Sequence, residues 1–211
     1  MLFRSGTFNW TGPNSFSSNQ QNPVITNVPF ANGGTYSATV TVLGCTSAAA
    51  TTSAVINLSP VATPTNNGAL CEGSTLNLNT TAVAGASYSW SGPNGFTSTL
   101  QSPVIPNVTI AGNAGIYTLT MALAGCTGNP ATTNVVIHAI PASPVLSSNS
   151  PICAGQTLQL NASYTMNGVY NWTGPNAWTA TTQNPTIANA STAASGTYSA
   201  TVKLYNCTSP A

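Results

Sequence analysis

Short runs of alternating apolar and polar residues recur along the chain, separated by turn-forming clusters. Leu76-Asn77-Leu78-Asn79 sends its two leucines one way and its asparagines the other, the period of a strand with one buried face. Tyr88 and Trp90 share a face of Ser87–Trp90, and Tyr117, Leu119, Met121 and Leu123 alternate with threonine and alanine. Val61–Thr65, Thr75–Thr81, Phe96–Leu100, Val104–Ile110 and Thr132–Ile140 complete a set of seven predicted strands about ten residues apart. Asn66-Asn67-Gly68 and Gly92-Pro93-Asn94-Gly95 supply turn signals between them. No segment sustains a 3.6-residue period. The pattern predicts an all-β fold, a two-sheet antiparallel sandwich.

The same plan is written three times. Trp-[Thr/Ser]-Gly-Pro-Asn begins at Trp10, Trp90 and Trp172, spaced by 80 and 82 residues. Gly-x-Tyr follows in step at Tyr36, Tyr117 and Tyr198, and a cysteine stands nine residues beyond each tyrosine, at Cys45, Cys126 and Cys207. Such a period marks a tandem array. We expect a partial first repeat at 1–59 that lacks its first strands, a complete second at 60–141, and a third at 142–211 that lacks its last strand. Trp10, Trp90 and Trp172 alternate with a second aromatic on one face, so they are expected in the core with Tyr36, Tyr117 and Tyr198.

The tryptophan of the third strand, with Asn32-Gly-Gly-Thr-Tyr36, Asn113-Ala-Gly-Ile-Tyr117 and Ala194-Ser-Gly-Thr-Tyr198, resembles the tyrosine corner of immunoglobulin-like domains. The fuller pattern, Cys-x-Gly-x-Thr-Leu-x-Leu … Trp-x-Gly-Pro-Asn … Gly-x-Tyr … Cys-Thr, is similar to Ig-like and PKD-like repeats of large secreted Bacteroidota surface proteins, gliding-motility adhesins among them. The resemblance covers essentially the whole chain. It implies tandem Ig-like sandwiches arranged head to tail and a place at the cell surface. Two departures stand out: Asn32, Asn113 or Ala194 occupies the usual acidic position of the corner, and the cysteines are not mid-strand as in antibody domains.

Charge is almost absent. The 211 residues hold two Lys or Arg (Arg4, Lys203), one acidic residue (Glu72) and one histidine, His138. No basic patch exists to neutralise phosphates, so nucleic acid is not an expected partner. No apolar run approaches the roughly 20 residues that cross a bilayer, and membrane insertion of this segment is not expected. A chain so close to neutral tends to associate, which makes other copies of itself, or neighbouring repeats, the expected partners.

Five cysteines at repeat-locked positions suit an oxidising, extracellular setting. Met1-Leu-Phe-Arg4 opens no signal peptide. Together these lead us to expect a segment of a longer secreted chain; the rival is a short subunit whose incomplete ends accept strands from neighbours. Counting along the sequence pairs Cys71 with Cys126 and Cys153 with Cys207. Cys71 and Cys153 are expected to enter the second strand of their repeats, and Cys45, Cys126 and Cys207 to lie just beyond the sixth. In an Ig-like sandwich, however, the second and sixth strands run the same way, leaving Cys71 and Cys126 some 30 Å apart, far beyond disulfide reach. A head-to-tail array instead brings Cys71 near Cys207, the favoured junction pair, with Cys45, Cys126 and Cys153 finding partners outside the segment. Within-repeat pairs, local pairs and free thiols stay open as alternatives.

Chemistry is tested against repeat equivalents. Glu72 matches Ala154; Lys203 matches Thr41 and Ala122 and is expected at a solvated outward position; His138 matches Asn57 and is expected as a surface-facing residue of the last strand. One carboxylate cannot supply the acid and base of glycoside hydrolysis, a Ser-His-Asp triad lacks its aspartate, and no Cys-x-x-Cys or carboxylate cluster suggests a metal. No catalytic residue, metal ligand or cofactor is expected. Phe16, Phe96 and Trp178, just beyond the Gly-Pro-Asn turn, either cover the core rim or form stacking platforms for surface glycans. The expected function is a non-catalytic structural segment of an extracellular adhesin, stalk or filament protein; the alternative is a carbohydrate-binding module built on those three rings.

Overall fold

A computed structural model describes residues 6–211, and Arg4 lies outside them. Two compact units emerge. One comprises the segment through Val61 with Val83–Ser87 and Met121–Asn129; the other comprises Ala62–Ala82, Tyr88–Thr120 and Pro130–Ala211.

In the first unit, the first copy of the repeat folds as β1 (Thr7–Gly12), β2 (Phe16–Ser18), β3 (Gly34–Val42), β4 (Cys45–Thr46) and β5 (Ala50–Ala54). They form one antiparallel sheet, ordered β2-β1-β3-β4 with β5 also along β3. Trp10 lies opposite Ala38. No second sheet of this copy covers it among the described residues, and Trp10 is only half-buried. A cavity of about 320 Å³ opens there against Trp10, Phe16, Ile25 and Tyr36.

The second copy contributes β6 (Thr65–Asn66), β7 (Leu70–Cys71), β8 (Leu76–Asn79), β9 (Ser87–Ser91), β10 (Thr97–Ser98) and β11 (Val104–Ile105). After a single helical turn, α1 (Ile110–Asn113), come β12 (Gly115–Leu123), β13 (Cys126–Thr127), β14 (Ala131–Val135) and β15 (Ile137–His138). One sheet runs β11-β8-β6; the other runs β10-β9-β12-β13, with β14 also on β12. β15 leaves that ladder to pair in parallel with β7. Leu76, Leu78, Trp90, Tyr117, Leu119 and Val135 are at most 2% exposed, the alternation the sequence prescribes.

The third copy repeats the plan with β16 (Leu146–Ser148), β17 (Leu158–Ala162), β18 (Val169–Thr173), β19 (Thr179–Ala180), β20 (Thr186–Ile187), β21 (Ser199–Leu204) and β22 (Cys207–Thr208). Its sheets run β16-β17-β20 and β19-β18-β21-β22. Leu158, Leu160 and Ala162 from the first meet Tyr170, Trp172, Ala200 and Val202 from the second in one core. Trp172 donates its Nε1 proton to Thr182 O at 3.1 Å, whereas the buried Nε1 atoms of Trp10 and Trp90 have no such partner.

Five strands are shorter than the alternation predicts. Val61–Thr65 gives way to β6, which overlaps it only at Thr65 and takes in Asn66 from the expected turn, and Thr75–Thr81 is trimmed to β8. Phe96–Leu100 yields only β10, Val104–Ile110 only β11, and Thr132–Ile140 divides into β14 and β15. Pro103 and Pro106 flank β11, and proline has no N–H for a ladder. The last strand breaks at Val136, where pairing passes from β12 to β7.

The tyrosine corner ties the sheets together. Tyr117 Oη donates to Asn113 O at 3.0 Å, Tyr36 Oη to Asn32 O at 2.8 Å and Tyr198 Oη to Ala194 O at 2.8 Å. A tyrosine hydroxyl returning to the backbone four residues upstream, on the strand opposite the core tryptophan, marks one architecture. The sandwich is immunoglobulin-like. The tryptophan motif turns out to be the other half of this corner. A Cβ on Gly92 would lie 2.5 Å from the Tyr117 ring, and one on Gly115 would lie 3.1 Å from Pro93 at a φ of +134°. Only glycine fits both positions. Asn94, with φ at +49°, donates from Nδ2 to Ala111 O and Gly112 O at 2.9 and 2.7 Å, satisfying carbonyls that the short helix leaves unpaired.

Candidate functional site

The residues with the most unusual chemistry meet at one place in the second unit. Between β21 and β22, Tyr205 and Asn206 both take positive φ, +49° and +67°, the two-residue turn whose twist suits a hairpin. It sets Cys207 opposite Leu204. On the other side, Leu70 N donates to Val136 O at 2.9 Å and Glu72 N to His138 O at 3.0 Å, fixing β7 against β15. Cys71 and Cys207 are joined by a disulfide with Cα atoms 5.5 Å apart, closing a sequence separation of 136 residues.

Cys71 does not enter the second strand, as the sequence suggested. It sits in the separate strand β7, before Gly73, because the chain crosses to β15 before turning back into β8. The within-repeat alternatives, Cys71–Cys126 and Cys153–Cys207, are ruled out by the same bond. In the chain-entropy model, a loop of this length stabilises the fold by about 5 kcal/mol.

His138 was expected to be an ordinary outward strand residue. Its ring stacks on Tyr205, with centroids 4.5 Å apart and planes 15° from parallel, so it belongs to the junction. Cys207 Sγ lies 4.0 Å from His138 O, a contact rather than a hydrogen bond, since a disulfide sulfur carries no proton. The signal was in the sequence. Where the first and second copies supply Asn57 and Ala124, the second and third supply His138 and Tyr205 at the matching positions, both aromatic and both changed together.

The matching place in the first unit is held differently. Ala124 and Gly125 form the same turn, with φ of +47° and +81°. Asn57 Nδ2 donates to Ala124 O at 3.1 Å, and the Cys126 thiol reaches Asn57 O at 3.6 Å. Cys126 is a free, half-buried thiol, and Cys45 and Cys153 are free and exposed.

Other candidate residues are engaged elsewhere. Glu72 Oε1 accepts from Ile110 N at 3.2 Å, capping α1, although its backbone neighbours His138. Lys203 is an exposed strand position opposite Val169. Phe16, Phe96 and Trp178 are half-buried, each meeting its corner tyrosine edge-on at 5.4 Å between centroids. Tyr198, expected in the core, is also half-buried at this rim. Burial pushes the Tyr117 phenol above its ordinary pKa, and hydrogen bonding at Asn113 opposes the shift in part. Among the described residues, no three His, Cys, Asp or Glu side chains gather as a metal site. No helix there is long and apolar enough to cross a membrane.

No protein-family model matches the sequence, and no curated protein matches it. Solved structures are similar in fold. Murine CEACAM1b is 14% identical over 70% of this chain and 95% of its own, with a TM-score of 0.43. The N-terminal eight Ig domains of Down Syndrome Cell Adhesion Molecule are 15% identical over 97% of this chain and 36% of that one, at 0.49. The FN1–FN3 domains of chicken CNTN1 are 10% identical over 97% and 87%, at 0.39. Identities this low concern the fold alone.

Proposed function

We propose that the chain is a non-catalytic, load-bearing segment of an extracellular adhesin, stalk or filament protein, like the Bacteroidota surface repeats its motifs resemble. Residues 1–59, 60–141 and 142–211 act as successive Ig-like repeats that occupy distance between a cell and what it touches, with neighbouring repeats as their partners. One observation carries this reading: the Cys71–Cys207 disulfide binds the second copy of the motif to the third. A bridge across copies adds no packing inside the core of either one. It limits how far they part under tension, and it suits an oxidising compartment.

Single-molecule pulling on the chain ends tests the proposal. The bridge withholds the 136 residues it spans, so the oxidised chain should extend roughly 450 Å less than the reduced chain or Cys71→Ser. The first copy, which lies outside the bridged span, should unfold at the same force in both. Equal extension with and without reductant, or glycan binding lost in Trp178→Ala with the fold intact, would overturn it.

A further inference from the structure

Cys45 and Cys153 each complete half of a site that is whole elsewhere in the chain. Cys153 has the backbone setting of Cys71. Gln156 N donates to Cys153 O at 3.1 Å and Gly155 N to Ala190 O at 2.9 Å; around Cys71, Ser74 N donates to Cys71 O at 3.0 Å and Gly73 N to Val108 O at 2.8 Å. Cys45 has the setting of Cys207. It follows the turn Leu43-Gly44, with φ of +52° and +80°, and stands opposite Val42. Both thiols are exposed. Leu43, at the position of Tyr205, is 76% exposed, an apolar turn tip where Tyr205 has a ring to stack on.

We propose that Cys153 of one copy bonds to Cys45 of a second copy, remaking the Cys71–Cys207 bridge between molecules and joining them head to tail. This rests on reading that bridge as a link between repeats. Cys126 is the poorer partner, because it is half-buried with its thiol turned to Asn57 O. The oxidant is a small-molecule disulfide. The Cys153 thiolate attacks one of its sulfurs and expels a thiolate, leaving a mixed disulfide. The Cys45 thiolate of the second copy then displaces the remaining small thiol. Two protein thiols are oxidised, and one disulfide is reduced to two thiols.

The test incubates the 211-residue chain with oxidised glutathione and resolves it on a non-reducing gel. A ladder is expected, with a Cys45–Cys153 peptide on mapping. Cys45→Ser and Cys153→Ser should each remain monomeric, their equimolar mixture should stop at dimer, and Cys126→Ser should still give the ladder. A monomer carrying glutathione on both cysteines overturns the proposal. So does dimer formed by Cys153→Ser alone, or a ladder that needs Cys126. A chain that keeps the roughly 450 Å difference in pulling but makes no ladder refutes this inference and leaves the load-bearing reading standing. The reverse result refutes that reading alone.

Discussion

The first and second copies of the repeat carry nearly the same motifs and reach different structures. Val104 and Ile105 form a strand because Asn77 and Leu76 stand opposite them. Val24 and Ile25, in the same Gln-x-Pro-Val-Ile sequence, form none, and among the described residues no strand lies against them. Trp90 is 1% exposed, below a second sheet bearing Leu76 and Leu78; Trp10 is half-buried over an open cavity. Strand character in these short segments is therefore conferred by a partner, not by local propensity.

The largest expected effect breaks this comparison directly. Trp90→Ala should cost about 3–5 kcal/mol, the range for emptying a closed core. Trp10→Ala should cost less than about 2 kcal/mol, since its face is already open. Urea denaturation, with hydrogen exchange to place each loss, measures both. Equal costs would mean that the second sheet adds little.

A smaller effect probes the corner. Gly92→Ala drives a methyl into the Tyr117 ring and should cost about 1–3 kcal/mol by overpacking. Gly12→Ala meets Tyr36 as closely, yet should cost less, because the open sheet lets that ring yield. Thermal melts of the two variants decide the order.

The smallest effect is alkaline. Tyr117 has a raised pKa in the folded state, so the folded chain holds this proton more tightly than the unfolded one. Its contribution is complete below the ordinary phenol value of about 10 and is lost as pH rises from there through the folded value. Urea midpoints should fall across that window, and Tyr117→Phe should flatten the decline.

Much of the fold was legible before any coordinates. Leu76, Leu78, Trp90 and Tyr117 announce their faces by alternation alone, and the Ig-like resemblance followed from the corner tyrosines. The interlock of Gly92 with Tyr117 and of Pro93 with Gly115 was not legible. Those residues look like turn signals locally, and their contacts join segments more than twenty positions apart. Cys71 was misplaced for a related reason: a two-residue strand crossing between sheets leaves no periodic trace. His138 acquires its role only with the simultaneous change at Tyr205, on which its ring stacks. Phe16, Phe96 and Trp178 show the same limit, since exposure follows from a neighbouring ring that no spacing rule reveals.

The bond between Cys71 and Cys207 also alters what a protease can accomplish. A single cut anywhere between these residues leaves both fragments on one molecule, close enough to stay docked or to re-form their sheets. Only a cut outside that span releases a piece. In a milieu rich in hydrolytic enzymes, most of the chain could be nicked once without parting.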